Sequence, residues 1–271
     1  MPELPEVEFA AGQLRRWMEG RKILQATAGK TRIIRGSSPK AFAEHLTGRK
    51  LTLVERHGKY LMLHFDHNEG LVGHLGMTGK FVRRPKGAEE KFSRASFELE
   101  DGHTVHYRDP RMFGRLTLCP GDKLHQRKEI AQLGPDLKNT RATAELLAER
   151  LKKTSRAIKV ALMDQTVVAG LGNIHAAEAL FRAGINPRKA GGKLSKEQRA
   201  ALSRAISEAI AYALKEQGAD SDEISYVEEP GTANPFLVYG RKGEPCRRCK
   251  AAIKAITQGG RTTFFCPKCQ R

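Results

Sequence analysis

The chain has 271 residues, room for one or two domains of ordinary size, and its 39% hydrophobic content supports a packed core rather than wholesale disorder. Lysine and arginine total 48 against 30 acids, a formal charge of +18 that speaks against a small neutral metabolite as the only ligand and for a polyphosphate partner. No apolar run reaches the ~18 residues of a membrane span, and the opening MPELPEVE lacks an apolar signal region, so the expectation is a soluble, basic, cytoplasmic protein.

Residues 5–18 set Val7, Ala10, Ala11, Leu14, Trp17 and Met18 at the spacing of one helical face. From about residue 50 to 118 the texture changes to short β-rich runs, LTLVER, YLMLHF, LVGHLG, ASFELE, TVHYR and RLTL. Turn residues at Gly58, Asp66 to Gly70, Gly79 and Asp101–Gly102 separate them, which predicts an antiparallel sandwich or barrel. After LGPDL at 133–137 the stretches 141–153 and 172–184 read as helix. Ser195 with Gln198 forms a capping-box pattern, opening a stripe of Ala201, Leu202, Ala205, Ile206, Ala209, Ile210, Ala213 and Leu214. The predicted fold class is therefore α+β and multidomain: an N-terminal antiparallel β-sandwich with a leading helix over 1–133, a helical domain over 134–218, a loop or linker at 219–235 and a four-cysteine zinc ribbon over 236–271.

Four of the five cysteines lie in the last 26 residues, as two C-x2-C pairs, Cys246/Cys249 and Cys266/Cys269, with 16 residues between the pairs. Thiolates at that spacing close a tetrahedron around one zinc ion and leave no vacant coordination position, so the metal is expected to be structural, with no organic cofactor. Two disulfides are the alternative, and a cytoplasmic chain argues against them. Cys119, alone after a strand-like run, reads as a small buried hydrophobe. Around the zinc ligands, residues 241–271 hold nine lysines and arginines and one acid, Glu244, a density that favours phosphate contact over a merely solvated face.

Pro2 follows the initiator methionine, which is normally removed before so small a residue. Removal leaves a secondary amine that can attack an aldehyde-like carbon and form an iminium ion without a lysine. Glu3 and Glu6 beside it supply carboxyl groups able to move protons. The same PE-x-PE pattern is also an ordinary helix start. If Met1 stays, the Pro2 nitrogen is a tertiary amide and cannot attack.

MPELPEVE, HGKYL at 57–61, HLGMTG at 74–79, DPRMFG at 109–114, VVAGLGNIHAAEALFRAGINP at 167–187, VYGRKGEPC at 238–246 and GGRTTFFCPKCQ at 259–270 occur in the order and spacing of one family. Over essentially all 271 residues the chain resembles the formamidopyrimidine-DNA glycosylases, and Leu4 favours that branch over the endonuclease VIII-like branch, which usually starts PEGPE. The resemblance implies a base-excision-repair glycosylase with apurinic/apyrimidinic lyase activity on oxidised or ring-opened purines. Its partner is double-stranded DNA carrying a damaged base or abasic site. A monomer is the default expectation, since nothing in the sequence marks an oligomer interface, with no membrane contact and nucleoid association if bacterial.

Carried over residue by residue, Pro2 attacks the anomeric carbon and forms the Schiff base, Glu3 gives and takes protons during base loss, Lys59 assists β-elimination, and Arg261 grips phosphate and assists δ-elimination. Met77, Arg111 and Phe113 occupy the places of the void-filling trio, and Asn173 that of a phosphate contact in a helix–two-turn–helix. Without the resemblance, Lys59 reads as a surface strand lysine, Met77 and Phe113 as core residues, Asn173 as an N-cap and Arg261 as one more ribbon charge.

Several positions depart from the family pattern. KFSR stands where a KHDH-like segment contacting DNA is usual, with Phe92 in it and Arg94 as the candidate DNA contact. His175 replaces a tyrosine, Met112 an arginine, and Thr154 a lysine for which Lys152 or Lys153 can substitute. The loop 219–231, ADSDEISYVEEPG, has five acids and no base where a glycine-rich loop is usual. Two other readings remain at this point: the same chemistry on oxidised pyrimidines, and a non-catalytic zinc-ribbon DNA-binding protein.

Overall fold

The first helix is set by its capping chemistry and its apolar stripe. In the computed structural model, which describes residues 2–138, 143–217, 224 and 234–271, α1 spans Leu4–Met18. Glu3 is its N-cap, and Glu6 reaches back to the Glu3 amide at 2.8 Å in a capping-box arrangement. The stripe Val7, Ala10, Ala11, Leu14, Trp17 and Met18 is buried, as the spacing predicts.

The chain divides into two units, residues 1–132 with 217–226 and residues 133–216 with 227–271. The first holds two sheets. One is four-stranded and antiparallel, in the order β1 (Ile23–Ala28), β7 (Ser93–Leu99), β8 (His103–Arg108), β6 (Lys80–Pro85). The other runs β2 (Ile34–Arg35), β9 (Arg115–Pro120), β5 (Glu69–His74), β4 (Tyr60–Phe65), β3 (Leu51–His57). The core includes α1, α2 (Pro39–Leu46) and both sheets, through Leu14, Phe42, Leu61, Leu71, Phe81, Phe97 and Tyr107.

Two features differ from the expected antiparallel set. The pair β2–β9 is parallel, because β2 reaches that edge from β1 in the other sheet and no hairpin dictates its direction. Elements β1, β2, α2 and β6 lie outside the runs read from sequence. In β1 a register shift between Ile23 and Gln25 breaks the alternation, and β6 carries two arginines and a proline after its buried Phe81 and Val82. After β9 a 3-10 turn at Gly121–Gln126 and a short α3 (Lys128–Ala131) follow.

The second unit contains α4 (Ala144–Leu151), α5 (Ile158–Leu162), α6 (Asn173–Arg182), α7 (Lys196–Gln217) and the hairpin β10 (Lys254–Gln258)–β11 (Arg261–Phe265). The predicted cap of α7 is formed: Gln198 N–H donates to Ser195 Oγ and the Ser195 amide to Gln198 Oε1, each at 3.2 Å. Inside the unit, buried Glu178 of α6 accepts the amides of Leu237, Val238 and Tyr239 and the Arg182 guanidinium, tying α6 to the segment that enters the ribbon. Three backbone donors and a cation are what a buried carboxylate requires. The acidic loop lies outside the described residues except for Ile224, which is buried in the first unit's core with its carbonyl accepting Lys80 Nζ at 3.3 Å.

Candidate active site and nucleic-acid interface

Pro2 and Glu3 are both buried at the head of α1, Glu3 to 1% exposure. Lys59 sits in the two-residue turn between β3 and β4, where His57 pairs with Tyr60 and Gly58 takes φ +56°, the glycine-first pattern of a tight hairpin. It is only 7% exposed, so it is not the surface strand lysine that the bare sequence allows. The two places are connected inside one unit. Arg56 Nε donates to Glu8 Oε2 of α1 at 2.6 Å, and its Nη1 donates to the Gly58 carbonyl at 2.8 Å. Arg15 of α1 completes the brace, donating to Glu8 Oε1 at 3.1 Å and, through Nε, to the Val54 carbonyl of β3.

His74 ends β5 opposite Tyr60, with ring centroids 4.9 Å apart. Burial drives its pKa down to about 4, with the charges of Lys59 and Arg115 adding to the effect. Its neutral Nδ1 accepts the Gly76 amide at 3.1 Å, a bond that protonation at that nitrogen would break. Because the folded pKa lies below the unfolded value of about 6.5, His74 stabilises the fold fully above pH 6.5, and that contribution is lost as pH falls toward 4. Urea unfolding at pH 7 and pH 5 is expected to show about 1 to 2 kcal/mol more acid-side loss in the native chain than in His74→Gln.

The HLGMTG and DPRMFG segments form one paired loop. Asp109 is fully buried and accepts Thr78 Oγ1 at 2.6 Å, the Arg111 amide at 3.2 Å and the Gly114 amide at 2.8 Å. Gly76, at φ +65°, lies so close to the backbone of Phe113 and Gly114 that any side chain there would collide with it. The packing pushes Met77 and Phe113 outward, to 38% and 44% exposure, so neither is the core residue that hydrophobicity alone suggests. Two guanidiniums lie over the Phe113 ring, Arg111 at 4.9 Å and Arg32 at 5.4 Å from its centroid. Arg32 also donates to the carbonyls of Met112 and Arg111. Arg94 braces the same loop from beneath, with Nε to the Asp109 carbonyl at 2.9 Å. Asp109→Ala leaves two backbone donors and the Thr78 hydroxyl without their acceptor. It is expected to cost about 2 to 4 kcal/mol in denaturant unfolding.

In the second unit Asn173 is not the N-cap. Gly172 is, and Asn173 occupies the first helical position without capping the helix. Its amide instead joins three elements: Oδ1 accepts the fully buried Lys159 ammonium of α5, and Nδ2 donates to the Thr262 carbonyl at 3.1 Å. Thr262 follows Arg261, which is exposed where β11 leaves the Gly259–Gly260 turn. Asn173, Lys159 and the Arg261 turn therefore converge. Lys153 stands apart, exposed just past the end of α4. His175 is buried, edge-on to Phe236 at 6.3 Å, and fills an aromatic position.

The four ribbon cysteines place their sulfurs within 4.8 Å of one another. Cys246–Cys269 at 3.9 Å and Cys249–Cys266 at 3.4 Å are far beyond a disulfide bond of about 2.05 Å, so the disulfide alternative falls. Amides of Arg248 and Cys269 donate to the sulfurs of Cys246 and Cys266 at 3.4 Å. Burial opposes ionisation of Cys246, yet the N–H groups of Cys249 and Arg248 together with hydrogen bonds from the Cys266 and Cys249 thiols outweigh it and bring the thiol to about 7. Burial and then the neighbouring thiols push Cys269 up to about 12. The first thiolate is thus favoured and the last is opposed, as in a donor set that needs a dication to ionise fully, and the residues fit zinc. Cys119 is only half-buried, near the end of β9.

Arg32, His74, Lys159 and Glu178 escaped the sequence reading. The signals for Lys159 and Glu178 were present, as a lone lysine in the apolar run AIKVAL and a lone acid in NIHAAEALF. Arg32 carries no local signal, since its carbonyl partners lie 80 and 79 residues away, and nothing in the HLGMTG segment that His74 opens announces its burial beside Tyr60, Lys59 and Arg115.

Comparison with known proteins agrees along the whole chain. Residues 1–116 match the formamidopyrimidine-DNA glycosylase N-terminal domain, 133–224 its H2TH domain, and 243–271 the zinc finger found in these glycosylases and in isoleucyl-tRNA synthetase. The formamidopyrimidine-DNA glycosylase of Bacillus licheniformis is 40% identical and that of Geobacter sulfurreducens 39%, each covering 100% of both chains. Among solved structures, the Lactococcus lactis enzyme in complex with abasic-site DNA superposes with a TM-score of 0.88 at 32% identity, covering 99% of each chain. A relative bound to DNA containing carbocyclic 8-oxoguanine gives 0.88 at 33%, covering 100% of each. On its fold, its paired loop, its cysteine cluster and these full-length matches, the chain belongs to the formamidopyrimidine-DNA glycosylase family.

Proposed function

We propose that this chain is a base-excision-repair DNA glycosylase with apurinic/apyrimidinic lyase activity, acting on oxidised or ring-opened purines in duplex DNA. The observation that carries the reading is the buried Pro2–Glu3 start of α1, braced through Glu8 and Arg56 to the hairpin that presents Lys59. With Met1 removed, the Pro2 nitrogen has a lone pair to give to C1′ of the damaged nucleotide. The bond from C1′ to the base breaks, the base leaves with the bonding electrons, and a proton from the Glu3 carboxyl neutralises it. Loss of the Pro2 proton leaves a neutral aminal, whose nitrogen lone pair breaks the C1′–O4′ bond as O4′ takes up a proton. The opened sugar then carries the iminium ion, which makes the C2′ hydrogen acidic. Removal of that proton expels the 3′ phosphate, and Lys59 assists this β-elimination. Arg261 holds phosphate for the second elimination.

Met77, Arg111 and Phe113 fill the space left by the extruded nucleotide, at a cost of a few kcal/mol that their contacts offset. Asn173 and Lys153 hold phosphates, and Arg94 acts through the loop it braces. Of the catalytic residues, Pro2, Glu3 and Lys59 lie in 1–133 and Arg261 in 236–271, and 134–218 with 236–271 supply the grip on the backbone. The four cysteines hold one structural zinc, which when bound fixes the ribbon that carries Arg261. The protein works as a cytoplasmic monomer, and among the described residues no helix is long and apolar enough to cross a membrane.

The relatives do not favour a pyrimidine-directed enzyme or a non-catalytic binder. Base release from duplexes bearing formamidopyrimidine, 8-oxoguanine or an oxidised pyrimidine tests the reading. Fastest turnover on the purine lesions is expected, and preferential release of the pyrimidine would overturn the assignment of substrate.

A further inference from the structure

Apart from the ribbon, one other group of potential metal ligands converges among the described residues: Glu55, His64 and His125, whose ligand atoms all lie within 4.8 Å of one another. The convergence follows from the sheet. Glu55 of β3 pairs with Met62 of β4, and side chains two apart share a face, so Glu55 and His64 are diagonal neighbours on one side of the hairpin. His125 comes from the 3-10 turn after β9. That turn is pinned to the β4–β5 connection by the Gly121 amide on the Asn68 carbonyl at 2.7 Å and by paired Asn68–Asp122 bonds at 2.9 and 3.1 Å. Both imidazoles direct Nε2 at the same carboxylate oxygen, Glu55 Oε2, at 2.6 Å for His64 and 3.1 Å for His125.

We propose that Glu55, His64 and His125 form a second divalent-metal site, separate from the four-cysteine ribbon and able to take a zinc-class cation. Two imidazoles and one carboxylate suit Zn²⁺, Co²⁺, Ni²⁺ or Cu²⁺, and not Mg²⁺ or Ca²⁺, which demand oxygen donors. An ion about 2.1 Å from each donor in tetrahedral array sets the donors about 3.4 Å apart. The 3.1 Å pair nearly meets that spacing, and the 2.6 Å pair reaches it by a side-chain shift of under about 1 Å. No backbone change is needed.

Each imidazole must turn its Nε2 lone pair to the ion, with Nδ1 carrying the ring proton. His125 is 60% exposed, leaving room for water to complete the coordination. The site is therefore exchangeable and weaker than four thiolates. A bound ion would join β3, β4 and the 3-10 turn, and so steady the hairpin whose tip carries Lys59.

The test uses the untagged, zinc-loaded full chain, dialysed against micromolar Ni²⁺ at pH 7.5 and assayed for bound metal, with thermal unfolding in parallel. One nickel beside one zinc, and a rise in Tm with Ni²⁺, are expected. His125→Ala and Glu55→Gln should each lose the nickel and the Tm rise while keeping the zinc and a nickel-free Tm unchanged to within a few degrees. His125 is exposed enough for its removal to leave folding intact. Absence of nickel binding to the native chain would overturn the proposal. So would nickel binding that both variants retain, since the ion would then sit on other residues.

Discussion

Replacing Cys249 and Cys266 with serine is expected to unfold the ribbon and abolish tight DNA binding, while the first unit keeps its β-sheet circular dichroism. Structural zinc contributes about 10 to 16 kcal/mol to small zinc-finger folds, comparable to the whole stability of an ordinary domain. The ribbon has little else to hold it, since its hydrophobic cluster is small and two of its six buried members are the ligands Cys246 and Cys266. Arg261 and the Thr262 carbonyl that engages Asn173 both lie on its hairpin, so losing the metal also removes a partner of the Asn173–Lys159 junction. Duplex affinity should fall at least a hundredfold by fluorescence anisotropy, with the salt dependence flattened as phosphate contacts are lost. Unaltered affinity in the double variant would mean that the ribbon does not grip DNA.

Glu3→Gln is expected to separate the two chemical activities. Glutamine keeps the size and can still accept a hydrogen bond at the N-cap, so α1 should retain its start, but it cannot donate an acidic proton to a leaving base. General acid–base groups contribute about 10² to 10⁴ in rate, so excision of 8-oxoguanine in single-turnover assays should slow by that range. Cleavage at a preformed abasic site, where no base has to leave, should slow much less. Equal loss on both substrates would indicate damage to α1 rather than removal of a proton donor, and the Tm of the variant distinguishes the two causes.

The chemistry-bearing motifs are legible in the sequence because their spacing is local. Two C-x2-C pairs define a tetrahedral donor set wherever the intervening hairpin runs, and the cap and stripe of α7 follow from a four-residue pattern and a 3.6-residue period. What sequence could not give is burial that runs against residue type. Met77 and Phe113 are exposed because Asp109 and the glycines of two loops leave no interior volume for them. Lys59 is nearly buried because it occupies a hairpin turn rather than a strand. Asn173 gives up the cap to Gly172 because Lys159, 14 residues earlier, and Thr262, 89 residues later, claim its amide. The Arg56 brace joins residues 48 apart, and no pattern within one element announces such a bond.

The claim on which the account rests is that the Pro2 nitrogen attacks the sugar. Incubating the Met1-processed protein with an abasic-site duplex and borohydride, then mapping the trapped adduct by mass spectrometry, tests it directly. The account predicts one covalent adduct, on Pro2, that disappears when the N-terminus is acetylated and when Met1 is retained. An adduct that survives acetylation or maps to Lys59, or tight binding with no adduct on any duplex, would contradict it.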